Sequence, residues 1–210
     1  MRRSTILAAA LLAASCSADL TAELTPVDTP ESAIVPLPDP ELQGGHVGRA
    51  ARRLTVRQLK KAIVVATGRE WRSLDNLAAS LGQADYALVN AEGTEPNLVF
   101  AKFLEDGARE VCLEAARADL AAASPAERVL AREFPADLKD LRMVHQDDVL
   151  KNLTYLSTRF WGQPLKAPEL EKWVQLYRDA ATRAQTVGRR EQALAVVCIA
   201  MMTDPRFLTY

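Results

Sequence analysis

Between residues 50 and 210 the apolar positions recur at intervals of three and four, the period of helices that bury one face. The pattern opens at Thr55, which forms a capping box with Gln58. Leu59, Ala62, Ile63 and Ala66 then share a face as far as Gly68, where a left-handed cap residue belongs. A shorter helix carries Leu74, Leu77 and Leu81 and closes at Gly82. Pro96, just after Thr94 and Glu95, suits the first turn of a long helix bearing Phe100, Phe103, Leu104, Val111 and Cys112, since an N–H is not needed there. Ser124, Pro125 and Glu127 write another start, for a short helix reaching Glu133.

Val149, Leu153, Leu156 and Phe160 recur at four, three and four, with Gly162 as the stop. Pro168 begins the next helix, whose Leu170, Trp173, Val174, Tyr177 and Ala181 share a side. The run ALAVVCIAMM, 193–202, is apolar nearly all round and too short to cross a bilayer, so it reads as the central core helix. Pro205 ends it, and Phe207 and Tyr210 are apolar enough to fold back on the domain. The nearest approach to a strand pattern, ADYALV at 84–89, reads as a loop. The expected fold is all-α: a single compact domain of about six to seven helices over 50–210.

The chain before residue 50 behaves differently. Arg2 and Arg3 precede a short apolar run, Ile6 to Ala14, and small residues lead into Cys16, the three-part layout of an export signal. Crossing a bilayer takes roughly 20 apolar residues, and this run has about half that. Ala13, Ala14, Ser15 and Cys16 resemble the cleavage box of a bacterial lipoprotein, although such boxes usually carry a larger aliphatic residue where Ala13 stands. The resemblance implies that residues 1–15 are a signal peptide and that Cys16 is lipidated. It also implies several acyl chains there, a durable anchor at about 0.8 kcal/mol per buried methylene. Ser17 after the cysteine implies the outer membrane by the enterobacterial sorting rule. Residues 16–49, with Pro26, Pro30, Pro36, Pro38 and Pro40 and then Gly44, Gly45 and Gly48, read as a proline-rich tether. Its 33 or so residues reach up to roughly 100 Å if fully extended.

Charge narrows the choice of partner. Loss of residues 1–15 leaves 24 basic against 27 acidic residues, and no basic stripe suited to displacing counterions from nucleic acid. The pairs Arg52–Arg53 and Arg189–Arg190 read as solvated helix ends. The remaining thiols, Cys112 and Cys198, each lie on the apolar face of a predicted helix. In an oxidising compartment two packed helices can bring them to bonding distance, so a disulfide is expected; the alternative is two buried free thiols acting as small hydrophobes.

His145, Asp147 and Asp148 form the one cluster of imidazole and carboxylate, with Trp161, beside Gly162 and Pro164, as a partly covered loop tryptophan. Together they make the candidate ligand site. The plainer reading has Asp147 or Asp148 capping the helix that starts there. Metal sites need three or four converging ligands, and no metal or cofactor is expected. Glu169 and Glu171 read as solvated charge on the outer side of their helix. No C-x-x-C-H, G-x-S-x-G, H-E-x-x-H or glycine-rich phosphate loop occurs.

Three stretches, RRLTVRQLKKAI at 52–63, LTYLSTRFWGQPLKAPELEKWVQLY at 153–177 and the closing MMTDPRFLTY, resemble helical domains of uncharacterised function. Those domains recur in large exported cytochrome-associated proteins of planctomycetes and in lipoproteins of myxobacteria. The larger relatives add a haem-binding segment whose C-x-x-C-H is missing here, and no catalytic residue is carried over. The expectation is a lipid-anchored envelope module that binds or assembles with another exported protein. The alternative is an accessory subunit or enzyme of an envelope redox or polymer-degrading system.

Overall fold

The helix starts written in the sequence are made by side chains that satisfy the first free amides. In a computed structural model describing residues 52–84, 87, 91–95 and 97–209, Thr55 and Gln58 form the reciprocal capping box that opens α1, Val56–Thr67. Gly68, at φ 68°, closes it in the left-handed region that a β-carbon disfavours. α2, Leu74–Leu77, is a single turn, with Leu74 and Leu81 buried and Leu77 half-buried around it. α3 runs from Leu98 to Ala121, about 36 Å at 1.5 Å per residue. Its cap is Asn97, whose side chain accepts from the Phe100 amide at 2.8 Å. The helix thus starts two residues after Pro96, which lies outside the described residues.

α4, Gln146–Trp161, ends at Gly162; α5 is Ala167–Thr186 with Pro168 in its first turn; α6 is Glu191–Thr203; α7 is the short Pro205–Leu208, capped by Asp204. Among the described residues there is no strand. The single extended pairing is an isolated antiparallel bridge between Arg53 and Thr209. All described residues belong to one compact unit, 48–210. The predicted signal peptide, the predicted tether with His46, the predicted lipidation residue Cys16 and the closing Tyr210 lie outside the described residues, as does most of ADYALV.

The core is organised around α6. Ala193, Leu194, Ala195, Val197, Cys198, Met201 and Met202 are all buried, which accounts for a helix with little polar face. α3 and α6 make the most extensive helix contact, and α5 covers another side of α6. α3 buries a run of small residues, Gly107, Ala108, Val111, Cys112, Ala115 and Ala116, spaced to form one narrow face. Small side chains let helix axes approach closely. At that contact Cys112 and Cys198 are joined as a disulfide, with their Cα atoms 5.7 Å apart. No helix among the described residues is long and apolar enough to cross a membrane.

One expected helix is absent. Ser124, Pro125 and Glu127 start only a 3-10 turn, Pro125–Glu127, and the chain from Arg128 to Val144 is irregular apart from a second such turn at Leu141–Met143. Its backbone is satisfied by side chains from elsewhere in place of a helical ladder. The Asp119 carboxylate accepts the amides of Val129, Leu130 and Ala131 at 2.6–3.1 Å. Asn152 donates to the Leu130 carbonyl and accepts from the Glu133 amide. Arg128 reaches forward to the carbonyls of Pro135 and Ala136, at 2.7 Å each. Those contacts free Leu130, Ala131, Phe134, Leu138 and Leu141 to enter the core, a burial pattern no helical stripe provides.

Candidate functional site

α4 and its cap carry all four residues of the predicted ligand cluster, and its geometry keeps Trp161 apart from the other three. His145 precedes its first turn and Trp161 is its last residue, so about 24 Å of helix separates them. His145 is itself the cap, correcting the expectation that an aspartate fills that role: its Nδ1 accepts the Asp147 amide at 3.3 Å. The Asp147 carboxylate lies 3.8 Å from the same nitrogen. Protonating Nδ1 would favour that ion pair and abolish the cap, so the two contacts exclude each other. Asp147 and Asp148 sit in the first turn, where the positive end of the helix favours them, and Asp148 pairs loosely with Lys151 at 4.0 Å. Among the described residues no three His, Cys, Asp or Glu side chains converge as a metal-ligand set.

Trp161 belongs to a different cluster, and as a helix residue rather than a loop one. Its Nε1 donates to the Met201 carbonyl at 3.1 Å, and its ring meets Trp173 edge to face at 5.5 Å. The Arg206 guanidinium lies 3.7 Å above the indole. Arg206 in turn holds two carboxylates with paired N–H groups: Asp204 at 2.7–2.9 Å and Glu169 at 2.6–3.0 Å. Glu169 also accepts from Trp173 Nε1. The expectation of solvated charge therefore holds for Glu171, which is exposed, and fails for Glu169, which is half-buried. Hydrogen bonds from Arg206 hold Glu169 and Asp204 below their usual carboxylate range and push the Arg206 guanidinium upward. The cluster fastens the end of α4 to the starts of α5 and α7.

Trp71 is core: it is buried, lies flat over Gly107, and donates from Nε1 to Ser73 Oγ, which donates to Glu110. Tyr177 is buried on α5 with its hydroxyl on the Leu141 carbonyl at 2.7 Å, and burial raises its pKa above the ordinary phenol value. The space beside Phe134, Leu156 and Tyr177 amounts to about 10 Å³, at the lower limit for a single water. On the outer side of α4 an open trough of about 700 Å³ runs past Leu150, Lys151, Tyr155 and Arg159.

Arg53 is the residue least anticipated. Read as half of a solvated basic pair, it is 1 % exposed, whereas Arg52 is exposed as expected. Its Nε, Nη1 and Nη2 donate to the carbonyls of Glu95 (3.0 Å), Leu54 (3.3 Å) and Leu81 (2.8 Å). Phe100 covers one face of the guanidinium at 4.1 Å. Gly82, at φ 89°, lies so close that a β-carbon would sit 2.7 Å from Nη2. Desolvation lowers the pKa of Arg53, partly offset by the field of Glu92. A cleft of about 220 Å³ opens beside it, between α3 and α7. No sequence signal marks Arg53, because the groups that enclose its guanidinium, Leu81, Gly82, Glu95 and Phe100, are distant in the chain, as is the bridge from its backbone to Thr209. No family model, no curated protein and no solved structure matches the chain.

Proposed function

We propose that the chain is a lipid-anchored module of the cell envelope whose helical body binds and assembles with another exported protein. The observation that carries this reading is the buried Cys112–Cys198 disulfide at the contact of the two central helices. Structural disulfides persist in oxidising compartments and are rare where thiols are kept reduced. The charged start, short apolar run and Cys16 box point to the same destination by a separate route. Anchored at Cys16 and carried on the proline-rich tether, a rigid helical body stands off the membrane where a partner can reach it. The rival reading, an envelope enzyme or accessory subunit, drew its candidate pocket from His145, Asp147, Asp148 and Trp161. Trp161 stands at the opposite end of α4 from the other three.

The test is made in an expressing bacterium, with wild type and Cys16→Ser compared after envelope fractionation and mild cross-linking. Wild type should pellet with the membranes and cross-link reproducibly to one exported protein, and Cys16→Ser should move to the soluble fraction. A Cys16→Ser protein that still pellets contradicts the anchor. A wild-type protein recovered only by itself contradicts the partner.

A further inference from the structure

We propose that the open trough along the outer side of α4 docks an acidic amphipathic helix of the partner protein, its carboxylates on Lys151 and Arg159. The inference rests on the assembly reading and adds the face and the chemistry of the contact. Lys151, Thr154, Tyr155, Thr158 and Arg159 line the trough, with Leu150 and Glu133 beside them, around a space of about 700 Å³. Positions three and four apart share one side of a helix, so the lining is a continuous, largely apolar strip with a cation at each end. The two cations stand about 12 Å apart along the helix axis.

Both cations are open to a partner. Arg159 donates from Nε to the Ala66 carbonyl at 2.7 Å and from Nη1 to the Tyr155 hydroxyl at 3.3 Å. Its Nη2 has no acceptor among the described residues, and the one buried side-chain nitrogen or oxygen left without a partner there is Arg128 Nε, so Arg159 Nη2 meets solvent. Among the described residues no carboxylate forms an ion pair with Arg159, and Lys151, its side chain 67 % exposed, is held by Asp148 only at 4.0 Å. Glu133 is the single anion of the lining. The bonds to Ala66 and Tyr155 fix the guanidinium in advance, so less side-chain freedom is lost when a carboxylate arrives. The occupant's form follows from what the strip lacks. The Thr154 and Thr158 hydroxyls donate to carbonyls of α4 itself, whose backbone is paired within the helix, so an extended segment finds no backbone groups to pair with. A helix satisfies its own backbone and, lying nearly parallel to α4, sets carboxylates about seven or eight residues apart opposite the two cations, with aliphatic side chains between.

The test is photo-cross-linking in the expressing bacterium, with the full chain carrying benzoylphenylalanine in place of Thr158, exposed in the trough, or of Arg117, exposed on α3 outside it. Mass spectrometry identifies the adducts. The Thr158 position should capture an exported protein through a segment with carboxylates at that helical spacing, and the Arg117 position should not. Lys151→Glu, at an exposed site, should cut the yield at least about fivefold with the same amount of folded chain in the envelope, and Lys151→Arg should keep it. A lipid adduct, a captured segment without carboxylates, equal yields at the two positions, or a Lys151→Glu yield equal to wild type overturns the proposal. A partner caught by general cross-linking but never through Thr158 overturns the trough and leaves the assembly reading standing, whereas no protein caught by either route overturns both.

Discussion

Asp119 holds three backbone amides in a segment where no helical ladder supplies their partners. Burial raises its pKa and the amide hydrogen bonds oppose that shift, so the carboxylate is costly to bury but well used. Orphaning a buried donor costs about 1–3 kcal/mol. Asp119→Ala should therefore lose about 3 kcal/mol or more in urea unfolding, and Asp119→Asn, which keeps one acceptor oxygen, should fall between the two. Arg206 gives a prediction with a pH signature. Glu169 and Asp204 have depressed folded-state pKa values, so their pairing stabilises fully above the ordinary carboxylate range, about 3.9–4.3, and is lost as pH falls through the lowered values. Arg206→Gln should cost on the order of 1 kcal/mol at pH 7, discounted for partial exposure, and acid unfolding should begin at higher pH than in wild type. The two proteins should converge below the lowered values. A difference that is constant from pH 7 to pH 2 would point to lost stacking on Trp161 instead. None of these roles was legible in the sequence. Asp119, Glu169 and Arg206 look like ordinary surface charges, and the contacts that fix the fold, Asp119 to Val129 and Glu169 to Arg206, span 10 and 37 positions.

At the scale of elements the sequence was far more legible, because caps and apolar faces are local. The capping box at Thr55, the stop at Gly162, the first-turn Pro168 and the all-round apolar α6 are all present where the spacing puts them. What failed was the helix expected after Ser124: the local signal produced one 3-10 turn, and distant side chains took the remaining amides. His145 displaced its aspartate neighbours as cap because an imidazole nitrogen can accept an amide as a carboxylate does. Two contacts of α3, with Trp71 and with α6, each yield a test. Gly107→Ala in an ordinary helix would gain about 1 kcal/mol. Here the new methyl would overlap the Trp71 indole, a ring that cannot swing aside, so a loss of about 1–3 kcal/mol is expected in thermal or urea unfolding. Removing the disulfide with Cys112→Ala and Cys198→Ala together opens a span of 86 residues. In the chain-entropy picture that lowers stability by about 4–5 kcal/mol, and a cost below about 1 kcal/mol would mean that packing alone fixes the two helices.

For the whole molecule, the notable feature is that the two ends of the described chain meet. Leu54 donates to the Leu208 carbonyl at 2.7 Å, Arg53 bridges Thr209, and Arg206 reaches back to Glu169. Residues 52–63, 153–177 and 201–209 thus contribute to neighbouring contacts. Periodicity cannot reveal this, since it carries no information about which helices touch. The proposed function rests on a proposed route for the chain: export, oxidation of Cys112 with Cys198, and acylation of Cys16. Intact mass spectrometry of protein extracted from envelopes, unfolded and alkylated without reduction, reads both modifications at once. The account predicts a chain beginning at Cys16 that carries the added mass of acyl groups and takes up no alkylating reagent. A mature chain without acyl mass, or one that gains two alkyl groups at Cys112 and Cys198, would contradict it.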